Sequence, residues 1–252
     1  QVALLGFTHT RPSFNIASVM SAQGKRVPVV ETTSFRTPFC DLVRFCRDDS
    51  KDLPKLLLVA PMSGHFATLL RGTVQTLVQD HEVYVTDWRN IRDIPMSEGQ
   101  FGLDEYIEHI IWFLQHLGPN AHLMGVCQPT VACLAATAVL AEDRSDCQPA
   151  SLTLMAGPID TRVNPTAVNE LAMSKPIEWF EANLIGMVPL HFKGVGRRVY
   201  PGFMQLMAFL NMNIERHQQS FKNLYEHRVN GEDEKADVIR DFYKEYFAIM
   251  DL

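Results

Sequence analysis

The run Gly125-Val126-Cys127-Gln128-Pro129 holds the residue type and spacing in this chain best suited to covalent chemistry. It follows an apolar stretch, Ala121 to Met124, and leads into alanine-rich sequence from Thr130. That pattern predicts a strand, a sharp turn and a helix, with the central side chain lifted clear of the strand and small residues two before and two after it giving the turn room. Gly125 fills the first small position and Pro129 the second. Proline suits the first turn of a helix, because its φ is already near the helical value and it has no N–H to satisfy. A helix N-terminus brings backbone N–H groups and partial positive charge beside the sulfur, a setting in which thiols act as nucleophiles. The same residues also fit a buried cysteine packed as a small hydrophobe.

The flanking sequence supplies the elements to hold such a turn. Leu56 to Ala60 is a continuous apolar run of the kind a strand covered on both faces shows, ending at Pro61-Met62-Ser63-Gly64-His65, with a helix expected from Phe66 to Asp80. Glu82 to Trp88 reads as the next strand, and Trp88 and Arg89 at its end fit either a pocket border or an anchor for the loop to Gly102. Leu103 to Leu117 carries Ile107, Ile110, Leu114 and Leu117 at helical spacing with His and Glu on the other side, and Gly118-Pro119 stops it. Ser151 to Ala156 forms another strand, ended by Gly157-Pro158-Ile159-Asp160. This alternation of strands and helices gives the α/β class with a mainly parallel sheet covered by helices.

The ends of the chain read differently. Arg26 to Arg36 is β-prone and, with Pro28, fits an edge hairpin within an N-terminal edge segment, residues 1–50. Residues 51–160 form the core, and from Thr161 the character changes. Asn164, Pro165, Pro176 and Pro189 punctuate helical pieces, and Met173, Trp179, Phe180, Met187, Phe203, Met207, Phe209 and Met212 make an aromatic and methionine-rich stretch. Such residues form adaptable apolar surfaces, so 161–252 reads as a helical cap, or as a helical subdomain with a small core of its own. Glu226 to Lys235 is charged and solvated, and Val238 to Phe247 resumes a helix.

Composition narrows the function. The 252 residues are 46% hydrophobic and 21% charged, as in ordinary globular domains, and a net charge of −6 without a dense basic cluster argues against nucleic acid. No apolar run is long enough to span a bilayer, and Gln1 to Gly6 lacks a basic n-region and cleavage site, which points to the cytoplasm. Five cysteines without C-x-x-C or zinc spacing read as reduced thiols, so no metal and no cofactor is expected; Cys40 and Cys46 fill core space and Cys147 sits in a polar loop. The sequence opens on glutamine and closes on an uncapped amphipathic helix, so it reads as a fragment.

Leu56 to His65, Val83 to Asn90, Gly125 to Thr130 and Leu152 to Asp160, in that order and spacing, resemble the intracellular polyhydroxybutyrate depolymerases, α/β-hydrolases with a cysteine nucleophile. The resemblance covers most of the chain from Pro38 onward. It implies an α/β-hydrolase fold with a helical lid and Cys127 as the nucleophile attacking esters of a polyhydroxybutyrate polymer or oligomer, at the surface of storage granules. In this fold the oxyanion hole takes one N–H from the residue after the nucleophile and one from an earlier strand-end loop, hence Gln128 with Met62, or Ser63 as the lesser choice. The catalytic acid and histidine follow the nucleophile. Asp160 is the one strand-end carboxylate available, although a turn-capping role suits it better, and the resemblance puts acid and histidine beyond Leu252, leaving this chain alone inactive.

Because histidine follows the nucleophile in that order, His65 reads as a loop-shaping or substrate-lining residue, and His9, His81, His109, His116 and His122 as structural or surface residues. His191, His217 and His227 fall in the lid. Two rivals remain: a polyhydroxyalkanoate synthase using the same cysteine, whose elbow resembles Gly-x-Cys-x-Gly rather than the Pro129 found here, and a non-catalytic granule-binding protein with a relic hydrolase fold.

Overall fold

The computed structural model describes residues 6–21, 24–49 and 52–252; Gln1 to Leu5, on which the reading of the N-terminus rests, lie outside the described residues. Seven strands form one sheet: β1 (Ser18–Met20), β2 (Arg26–Arg36), β3 (Cys40–Arg47), β4 (Lys55–Val59), β5 (Glu82–Trp88), β6 (His122–Val126) and β7 (Ser151–Met155), in the spatial order β1-β2-β3-β5-β4-β6-β7. β5, β4, β6 and β7 run parallel to one another, whereas β3 pairs antiparallel with β5, and β2 and β1 continue antiparallel beyond it. No helix separates the first three strands, so short turns connect them, and short turns permit only antiparallel pairing. The edge hairpin of the sequence reading is therefore a continuation of the main sheet, with β1 outside it, and Phe14, Leu42 and Phe45 belong to the same core as Leu57, Val85 and Leu123.

Helices form where the sequence supplies both an apolar stripe and a terminus. In α2 (Leu103–Leu117), Glu105 accepts the Gly102 N–H at 2.7 Å, and Gly118 ends the helix at φ +79°. Ile110, Leu114 and Leu117 are buried against the sheet. His109, placed on the polar side by its spacing, is buried as well: its ring reaches the Glu105 carbonyl at 2.6 Å and the Thr37 hydroxyl at 3.1 Å, partners the helical period could not reveal. The helix expected over 66–80 is shorter, a 3-10 turn (Ala67–Leu70) followed by α1 (Arg71–Leu77). Gly72, Thr73 and Thr76 carry weak helical propensity there. α3 (Pro129–Glu142) starts on its proline and packs on α2.

Beyond β7 come α4 (Ala167–Ser174), α5 (Ile177–Asn183), the small ribbon β8 (Gly186–Met187) and β9 (Arg198–Val199), and α6 (Gly202–Met212), α7 (Ile214–Val229) and α8 (Asp233–Tyr246). Met173, Met187, Phe203, Met207 and Met212 of the methionine-rich stretch stay exposed, while Leu206 of α6 joins Tyr243, Phe247 and Ile249 in a separate small core. Residues 248–252 then thread across the loops at the carboxyl ends of β4 and β5. Met250 donates to the Gly64 carbonyl at 2.9 Å, Asp251 N–H to Asn90 Oδ1 at 3.2 Å, and Asp251 Oδ1 accepts the Gly202 N–H at 2.9 Å. Tyr200 N–H reaches the Leu252 carbonyl at 2.7 Å.

Candidate active site

Cys127 sits between β6 and α3 with φ +68°, in the left-handed region that few non-glycine residues adopt. Three contacts hold it there. Its N–H donates to the Met155 carbonyl of β7 at 2.7 Å, and its own carbonyl accepts the Thr130 hydroxyl at 2.8 Å and the Thr130 N–H at 3.2 Å. Both small residues nearby are required by close approach: a Cβ on Gly125 would lie 2.9 Å from Cys133 Sγ, and one on Gly157 only 1.6 Å from Thr130 Oγ1. A strand, a strained cysteine and a helix at the carboxyl edge of a parallel sheet make the elbow arrangement of α/β-hydrolases.

The sulfur's residue borders a cavity of about 560 Å³. Met62, Ser63 and Gln128 line it from the elbow side, Gly157 and Asp160 from the loop after β7, and Tyr200, Phe209 and Met212 from the helical region. The four residues singled out for attack and oxyanion binding thus share one cavity. The Met62 N–H already has an acceptor, the side-chain Oε1 of Gln128 at 3.3 Å. Asp160 reaches the same cavity but is engaged locally: Oδ1 and Oδ2 bind the Arg162 guanidinium at 2.8 and 2.9 Å, and Oδ1 also accepts the Arg162 N–H at 3.0 Å. Those bonds from Arg162 hold the Asp160 carboxyl below its ordinary range.

No histidine of the described residues lines the cavity. His65 comes near, its ring 5.4 Å from Phe209 and 4.8 Å from Tyr246, but it is 5% exposed. Burial pushes it down to about 4, against backbone bonds to Ser63 and Tyr246, so it stays neutral, and its buried Nε2 has no hydrogen-bond partner among the described residues. The others are placed elsewhere. His217 bonds the Tyr243 hydroxyl at 2.8 Å, His227 bonds Glu232 at 2.5 Å, and His191 packs on Phe192. His9 reaches the Ile249 carbonyl, His81 the Leu77 carbonyl, His116 the Ser34 hydroxyl and His122 the Ser151 hydroxyl.

Trp88 and Arg89 border a second cleft of about 660 Å³, on the β3 side of the sheet, together with Arg11, Arg36, Asp41 and Asp87. Sequence reasoning passed over Arg11 and Asp87. Asp87 is 5% exposed and pairs with Arg11; burial nevertheless raises its carboxyl to about 6, outweighing the Arg11 charge. Arg89 pairs with Asp41 at 2.6 Å. Among the described residues no cluster of His, Cys, Asp and Glu could hold a metal ion, and no helix is long and apolar enough to cross a membrane.

Residues 156–252 match the family model described as PHB de-polymerase C-terminus, a segment that opens on the loop after β7, which lines the same cavity as Cys127. No curated protein matches the chain. Solved structures similar to it include a membrane phospholipase A, described as a bacterial virulence factor, at 14% identity and TM-score 0.44 over 77% of this chain and 63% of that one. Two others are naproxen esterase from Bacillus subtilis, at 13%, TM-score 0.39 and coverage of 65% and 56%, and 2-hydroxy-6-oxo-6-phenylhexa-2,4-dienoate hydrolase from Rhodococcus sp. strain RHA1, at 17%, 0.36 and coverage of 52% and 47%. The chain spans less than two thirds of the length of each of these. The elbow and sheet give it an α/β-hydrolase fold, and its residues 156–252 are similar to the C-terminal part of PHB de-polymerases.

Proposed function

We propose that the protein hydrolyses ester bonds of polyhydroxybutyrate, or of 3-hydroxybutyrate oligomers, through an acyl-enzyme on Cys127. The observation that carries this reading is the strained elbow that holds Cys127 against a cavity shared with Met62, Ser63 and Gln128. The Cys127 sulfur attacks the ester carbonyl, and backbone N–H groups of Gln128 and Met62, with Ser63 as the lesser choice, take the oxyanion. The chain's hydroxyl end departs, and water then cleaves the thioester. Val163, Val168, Phe209 and Met212 give the cavity an apolar wall suited to an uncharged aliphatic polyester, and the exposed methionines of the helical region fit a lid that meets a granule surface.

The water step needs a general base. With His65 neutral and enclosed, and no other histidine lining the cavity, the base and its acid partner come, in this reading, from residues outside this sequence, and Asp160 serves as a turn residue. This chain alone is then inactive in turnover. The work is placed in the cytoplasm, at the polymer store.

The test is release of 3-hydroxybutyrate from amorphous polyhydroxybutyrate granules by the full-length natural protein, with Cys127→Ala alongside. Product from the wild type and none from the variant is expected. Activity in both would remove Cys127 from the mechanism. Silence in both would end the hydrolytic reading and direct the next assay to polymer synthesis from 3-hydroxybutyryl coenzyme A.

A further inference from the structure

We propose that the side chain of Gln128 gates the oxyanion site, so that an ester must displace its carboxamide oxygen before Cys127 can be acylated. The inference rests on the reading of Cys127 as nucleophile and Met62 N–H as oxyanion donor. Its basis is geometric. In the resting structure Gln128 Oε1 stands 3.3 Å from the Met62 nitrogen and accepts a hydrogen bond from its N–H, the bond an oxyanion would take in the tetrahedral intermediate. The amide oxygen resembles the oxyanion in carrying partial negative charge, although on a trigonal rather than a tetrahedral carbon.

The gate is built to move. Gln128 has its backbone fixed by the elbow and the start of α3, but its side chain makes no cap bond to that helix, and its bond to Met62 lies at the exposed surface of the cavity. Among the described residues Oε1 has no second donor holding it. A single, rather long, exposed and neutral bond of this kind corresponds to roughly a 2- to 10-fold bias toward the closed state. The bias is far smaller than the roughly 100- to 1,000-fold value of an oxyanion donor, so an ester displaces the amide at a modest loss of rate.

The experiment compares two reactions of Cys127 in this chain, its Gln128→Ala variant and its Gln128→Met variant. p-Nitrophenyl acetate reports acylation: the S–acyl bond forms, the aryl C–O bond breaks, p-nitrophenolate leaves with the electron pair and the thiol proton passes to solvent. That first turnover gives a burst of one equivalent and needs no base for the water step. Iodoacetamide alkylates the same sulfur by displacement of iodide, without an oxyanion, and, read by peptide mass at Cys127 so that the partly exposed Cys147 is not counted, reports thiol reactivity and folding alone. We expect both variants to raise the burst rate constant by roughly 2- to 10-fold with the alkylation rate unchanged. A burst that is unchanged or slower in the variants overturns the gate, the slower result making Gln128 a support of the hole. Acceleration in Gln128→Ala but not in the similarly sized Gln128→Met also overturns it, by assigning the effect to bulk. A burst absent from all three proteins while iodoacetamide still reacts overturns the cysteine acyl-enzyme itself, and the gate with it, a result distinct from any of the others.

Discussion

Gly157 is the residue on which the elbow is most sensitive to one added carbon. A Cβ there would lie 1.6 Å from Thr130 Oγ1, 2.4 Å from Thr130 Cβ and 2.5 Å from Thr130 Cγ2, all inside hard contact. Thr130 cannot yield, since it is fully buried and its hydroxyl is bound to the Cys127 carbonyl at 2.8 Å. Gly157→Ala therefore drives the loop after β7 away from α3 by roughly an ångström. Overpacking of this kind costs about 1–3 kcal/mol. Loss of the Thr130 to Cys127 bond adds about 1 kcal/mol. For a chain of this length a total of about 2–4 kcal/mol lowers Tm by about 5–12 °C. Thermal unfolding followed by circular dichroism measures it. Thr130→Gly removes all three clashing atoms, so Gly157→Ala should cost at least about 1 kcal/mol less in the Thr130→Gly background than in the wild type, a favourable coupling in the cycle. A Tm for Gly157→Ala within about 2 °C of wild type, or an equal cost of Gly157→Ala in both backgrounds, would refute the reasoning.

Substitutions at four other positions test contacts elsewhere in the fold. His65 titrates at about 4 in the fold, below its ordinary 6.5, so the unfolded chain binds the extra proton and His65 lowers stability as pH falls from about 6.5 to 4. Asp87 titrates at about 6, above its ordinary 3.8, so its contribution is full below about 4 and lost as pH rises to 6. Each spans about 3 kcal/mol and they oppose one another: relative to wild type, His65→Gln should tilt stability downward with rising pH and Asp87→Asn upward, in urea unfolding at pH 4, 5, 6 and 7, and equal slopes in all three proteins would refute both shifts. Asp251→Ala removes the acceptor of the Gly202 N–H at the start of α6, and the loss of a carboxylate cap predicts about 1 kcal/mol, seen as a Tm lower by about 2–4 °C. At position 127, Cys127→Ser should leave stability within about 0.5 kcal/mol, whereas Cys127→Thr should cost about 1–2 kcal/mol, because a β-branched side chain meets the backbone at φ +68°; equal Tm values for the two would contradict this.

What the sequence showed and what it hid divide by distance along the chain. The elbow was legible because every feature that makes it, the apolar strand, Gly125, Cys127 and Pro129, lies within a dozen residues and follows the periodicities of strand and helix. α2 was legible for the same reason, down to its glycine stop. His109 was not: one helical turn says which side a residue takes, but only β3's approach places Thr37 against its ring. The Gln128 bond to Met62 spans 66 positions, and the Arg11 pair with Asp87 spans 76; no local pattern announces either. The first fifty residues, the least informative as sequence, supply three strands and one wall of the larger cleft, because antiparallel strands joined by short turns carry weaker periodic signals than apolar parallel ones.

The left-handed backbone at Cys127 also sets the evolutionary alphabet of that position. A residue there must tolerate positive φ with a short, unbranched side chain, and under the proposed mechanism it must present one nucleophilic atom. Cysteine and serine satisfy both demands, threonine fails the first, and glycine and alanine fail the second. Descent from a common ancestor could therefore exchange thiol for hydroxyl at this point by single substitutions without rebuilding the scaffold, while the third hydroxyl and thiol nucleophile of the amino-acid repertoire stays closed to it.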